Sequence, residues 1–145
     1  MKIIVDSNIV FSAMLNKYSV IGDVLLNSQE HFEFYTCEYL REEIANHKNK
    51  IIDLTGFDDL TFHEIEFLIY NQITFFSEAL IPFEFWKTAA NYVRDIDMDD
   101  IAFVALSLFL DIKFWTGDKV LRKALIKKGF KNCLSTQELL QLRTV

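Results

Sequence analysis

Runs of strand-forming residues alternate with helix-spaced stretches along the whole 145-residue sequence, and the first run stops at an acid. Residues 2–5 are a β-rich run ending at Asp6, which predicts a buried strand. Ser7 predicts an N-cap for a helix over 8–15, and a second helix covers 19–29. Residues 32–36 alternate like a strand, and the spacing of Leu40, Ile44 and Ile51 predicts one helix over 38–53. A long helix is predicted over 58–77 and a brief strand over 79–81, after which Pro82 suits the first turn of a helix over 83–94. A strongly apolar helix over 98–110 opens with acids, 112–115 reads as a strand, and 118–128 as a helix stopped at Gly129. A short strand at Cys133 and Leu134 leads to a last helix, where Ser135 and Glu138 have capping-box spacing.

Such alternation predicts βαβ units, a mostly parallel central sheet and helices on both faces. The length suits a single domain over 1–145. One proline and four glycines leave no stretch that resembles a linker. No apolar run nears the ~18 residues of a membrane span, and an acid comes too early for a signal peptide. Cys37 and Cys133 lie far apart without CxxC spacing and read as reduced thiols of a cytoplasmic protein.

Ligands of parallel α/β folds sit beyond the carboxyl ends of the strands, where Asp6 and Asp118 fall. Asp6 reads equally as a helix cap and as a metal ligand. Asp97, Asp99 and Asp100 open the apolar helix. First-turn acids offset the helix dipole by ~0.3–1 kcal/mol each, but a cap needs only one or two, and these repel one another. Asp100 lies near a face that must pack, where a carboxylate wants a cation or a donor. Asp118 follows Gly117 and could simply cap its helix, and Glu43 sits in a charge run that a solvated face would explain.

The three histidines, His31, His47 and His63, lack ligand spacing, which speaks against zinc. No glycine-rich phosphate loop or nucleophile elbow occurs. Oxygen-only chemistry remains, and it favours a hard cation such as Mg²⁺ or Mn²⁺. The net charge of −6 counts against a simple nucleic-acid binder, but less against a nuclease whose acids gather in a pocket. Lys119, Arg122, Lys123 and Lys127 fall on one side of the next helix, as a basic stripe or a plain solvated face.

In order, four segments resemble the motifs of the PIN-domain nucleases. Residues 3–8 look like the family's opening strand ending in Asp6, then Ser7 and Asn8. Residues 36–44 are similar to the second motif and select Glu43, with Glu42 the lesser choice. Residues 97–106 resemble the third motif, with Asp99 or Asp100 as the ligand. Residues 115–119 resemble the fourth, centred on Asp118.

The resemblance implies a three-layer α/β/α fold and Mg²⁺- or Mn²⁺-dependent RNA cleavage. It further implies the toxin half of a VapC-like toxin–antitoxin pair, with a cognate antitoxin as partner. Asp6, Glu43, Asp100 and Asp118 are the expected ligands, Glu43 a ligand or general base, and Asn8 and Thr116 supporting donors. Alternatives are an inactive PIN-like binding module and a receiver-like phospho-acceptor domain. The receiver reading is weakened by Asn8, which stands where a second acid would be needed. A homodimer is expected through apolar surface on the helices at 19–29 and 58–77.

Overall fold

Residues 1–144 are described by a computed structural model. Five strands, β1 (Lys2–Val5), β2 (Glu33–Cys37), β3 (Ile73–Phe76), β4 (Lys113–Trp115) and β5 (Cys133–Leu134), form one sheet in the order β3-β2-β1-β4-β5. Every pairing is parallel, so the expected mostly parallel sheet is parallel throughout. Ile3, Ile4 and Val5 are fully buried, as a central parallel strand covered on both faces requires. β1 lies at the point where the chain order reverses, with β2 on one side and β4 on the other. A crevice therefore opens between the carboxyl ends of β1 and β4.

Nine α-helices are present among the described residues. α1 (Ser7–Leu15) packs against α2 (Val20–Asn27), α3 (Tyr39–Asn46), α4 (Lys48–Thr55) and α5 (Asp59–Tyr70). α7 (Ile101–Leu110) packs on β1, β2 and β4, with α6 (Phe83–Val93) against it. Ala102 through Ser107 are all buried, so α7 is a core helix apolar on every side. α8 (Lys119–Lys127) and α9 (Thr136–Arg143) complete the fold, with the expected capping box of Ser135 and Glu138 at the start of α9.

Four local expectations are corrected. The helix over 58–77 stops at Tyr70, and Ile73–Phe76 pairs with β2, because a β-branched and aromatic run fits an edge of the sheet better than a helix end. The strand expected at 79–81 is a 3₁₀ turn, Glu78–Leu80. The single helix over 38–53 is two, parted at His47, whose backbone (φ −100°, ψ 5°) leaves the helical region. At the start of α1 the cap is Asp6 rather than Ser7. Cys37 and Cys133 are buried free thiols. No single described helix is long and apolar enough to cross a membrane.

Candidate active site

Asp6 ends β1 and begins α1. One carboxylate oxygen, Oδ1, accepts the Ile9 N–H at 3.1 Å and caps the helix. The other, Oδ2, is buried and has no hydrogen-bond partner. The choice between cap and ligand therefore dissolves, since a carboxylate has an oxygen for each.

Asp118 repeats the device at the end of β4. Its Oδ1 caps α8 through Leu121 N at 3.1 Å, and its own N–H donates to Thr116 Oγ1 at 3.1 Å. Buried Thr116 thus fixes the turn that presents Asp118, and it also stands beside Asp6. Asp100 is buried at the end of a 3₁₀ turn (Met98–Asp100), whereas Asp99 is exposed. Glu43 is half-buried on α3, with Oε1 buried and unpartnered.

These elements enclose a cleft of about 200 Å³. Glu43, Asp99, Asp100 and Asp118 line it, with Asn8 at its edge, and Asp6 lies buried at the end of β1, close enough to Asp100 and Glu43 for its charge to act on both. All four acids expected from the motifs therefore meet in one place. Ser7, Phe11, His47, Lys50 and Asp97 line it as well, and the motifs did not mark them as site residues. For His47 and Lys50 a sequence signal existed, because with Glu43 they have the i, i+4, i+7 spacing of one helix face.

Crowded, partly dry carboxylates resist ionisation. Burial pushes Asp6 up to about 6; the Asp118 charge adds to this, while the nearby Thr116 hydroxyl and the Ile9 N–H hold it back. Burial raises Glu43 to about 7, and Asp99, Asp6 and Asp97 raise it further against the lowering effect of Ser7. Asp100 is pushed furthest, to about 8, by burial first and then by Asp6, Asp97, Glu43 and Asp118. Among the described residues no group of three or more acids, cysteines or histidines is already placed to hold a metal ion. The arrangement is an open acidic cleft with unsatisfied oxygens. That suits Mg²⁺, which keeps several waters and takes one or two carboxylates.

A PIN-domain family model matches residues 4–143. The chain belongs to the PIN-domain family, a family of nucleases. Its fold is also similar to that of a chain of VapBC2 from Rickettsia felis bound to a DNA fragment from their promoter. That match has a TM-score of 0.71 at 8% identity and covers 93% of this chain and 98% of that chain. No curated protein matches this PIN domain in sequence.

Proposed function

We propose that this PIN domain, acting as one unit over 1–145, is a Mg²⁺- or Mn²⁺-dependent endoribonuclease. The observation that carries the reading is the buried, unpartnered oxygen of Glu43 in a cleft that Asp100 and Asp118 also line, with the unpartnered oxygen of Asp6 buried behind it. A buried carboxylate oxygen without a donor is costly unless a cation or proton arrives. Asp6, Glu43, Asp100 and Asp118 would hold the metal. When bound, the cation supplies an acidified water and charge neutralisation at the scissile phosphate.

The chain's own groups do the rest. Thr116 fixes the turn before Asp118, and Asn8 offers an amide at the cleft edge. Glu43, raised to about 7, is suited to take or hold a proton near neutrality. Asp99 lines the cleft as an exposed charge that raises Glu43.

The biological role we infer is the toxin half of a VapC-like toxin–antitoxin pair, in the cytoplasm, with an antitoxin as protein partner. The likeness to a chain of the R. felis VapBC2 complex supports this. Exposed Val20 on α2 and Leu60, Phe67 and Leu68 on α5 support the accompanying homodimer, which light scattering tests. The nuclease is tested by expressing wild type beside Asp6→Ala, mapping new RNA 5′ ends, and assaying cleavage with and without EDTA. EDTA-insensitive cleavage, or equal cleavage by both proteins, would sink the reading.

A further inference from the structure

The cleft poses an electrostatic problem for a nuclease. Five of its lining residues are acids, yet its substrate would be a polyanion. Only two lining side chains, His47 and Lys50, can carry positive charge. Both stand on the outer wall, one and two turns beyond Glu43, where the break between α3 and α4 falls.

Four other basic groups are held by carboxylates, and the remaining lysines and arginines, unlike these two, do not line the cleft. Neighbouring Lys48 pairs with Asp59, Arg41 with Glu38, Lys128 with Asp95 and Arg143 with Asp23. Among the described residues, Lys50 makes no ion pair, although it lines a cleft full of carboxylates. The His47 ring has no hydrogen-bond partner either. An aromatic ring holds both instead. Lys50 Nζ lies 5.4 Å from the Phe11 centroid, and the His47 ring meets Phe11 edge-on at 5.8 Å. A cation seated on a ring keeps its N–H donors unspent and loses little freedom when an anion arrives.

We propose that Lys50 and His47, seated on Phe11, grip a backbone phosphate of single-stranded RNA next to the one that is cut. This rests on the ribonuclease reading and adds to it a binding wall that the four acids do not supply. Lys50 and His47 contact the phosphate. Phe11 is a positioning residue that acts through them. The wall places a phosphate at the cleft mouth while the acids act on its neighbour, so the strand is held by one side of the cleft and cut on the other.

The test is binding of a labelled, mixed-sequence single-stranded RNA by fluorescence anisotropy in Mg²⁺, in an Asp118→Asn background to suppress cutting. Lys50→Ala should weaken binding 5- to 10-fold, on the order of one lost phosphate contact, and lower the slope of log K against log salt by about 0.7. Lys50→Arg should restore both, His47→Ala should weaken binding, and Phe11→Leu should weaken it without changing the charge. Lys48→Ala, which removes an equal charge one helix face away, should leave binding within twofold. A Lys50→Ala protein that binds with unchanged affinity and salt slope, or one no weaker than Lys48→Ala, overturns the proposal, as does a parent protein that does not bind RNA. Cleavage by the Asp118-intact protein is scored separately. RNA binding that depends on Lys50 without any cleavage would remove the ribonuclease reading and leave the wall standing.

Discussion

Two strand-to-helix junctions of the same sheet solve the same capping problem with different chemistry. At the β5–α9 junction, Ser135 Oγ accepts Glu138 N at 3.1 Å and Glu138 Oε1 accepts Ser135 N at 3.1 Å, so the capping groups are reciprocally used. At the β1–α1 junction, the cap is a buried carboxylate that uses one oxygen and leaves the other with nothing. A hydroxyl would have capped α1 as well, without the cost of burying a charge. What separates a structural cap from a candidate ligand here is the leftover acceptor.

The sharpest way to break that contrast is Asp6→Asn beside Ser135→Ala. Asp6→Asn should lower RNA cleavage at least ~100-fold, the scale on which loss of a group that supports a metal is felt. It should keep the α1 cap, since Asn caps nearly as well as Asp. An active Asp6→Asn protein would reduce Asp6 to a cap like any other. Next, Asp100→Asn should abolish cleavage and leave the metal-free protein as stable or more so, because one charge leaves a repelling cluster. Asp97→Asn is the milder comparison: its Oδ1 caps Asp99 N at 2.9 Å, and its charge adds to the upward push on Asp100 and Glu43. Full activity in Asp100→Asn with a dead Asp99→Asn would show that the wrong member of the pair had been assigned.

A third test uses pH. Asp6, Glu43 and Asp100 have folded pKa values of about 6, 7 and 8, above their ordinary values of 3.8, 4.5 and 3.8. The folded state therefore binds more protons than the unfolded one across that interval. Stability from these groups is full below 3.8 and falls as pH rises to about 8. Melting of the metal-free protein should accordingly drop between about pH 5 and 8, and Mn²⁺ should raise it more at the upper end, where its ligands are ionised. Equal Mn²⁺ shifts for wild type and Asp118→Asn would place the metal elsewhere. The smallest effect belongs to the satisfied junction. Ser135→Ala should cost about 1 kcal/mol of stability by denaturant titration and leave cleavage intact.

Much of the fold was legible because burial is written as periodicity. Ile3, Ile4 and Val5, then the almost wholly apolar run of α7, announce a covered central strand and a core helix. The errors cluster at 58–81, where Ile69 and Ile73 keep helical spacing across a turn, and only pairing with β2 decides that Ile73–Phe76 is a strand. Asp6, Asp100 and Asp118 were readable from their positions after strands and at a helix start, and Glu43 only from its motif. The Glu43 wall was not, because a charge run looks alike whether its face meets solvent or a cleft. His47 was discounted for lacking a second ligand, a test of metal spacing that says nothing of its place on the cleft wall. Asp97 entered the cleft through a 3₁₀ turn that replaces the first turn of the expected helix.

The strand order has a consequence for the timing of activity. β1 leaves the ribosome first, yet one of its two neighbours, β4, is made more than a hundred residues later. Until Lys113–Trp115 docks, one edge of β1 has no partner, and Asp118 is not beside Asp6. Contacts this distant along the chain are slow to form. The acidic cleft therefore closes only after residues 113–118 are made, and a chain cut short before them carries part of the sheet without Asp118 beside Asp6.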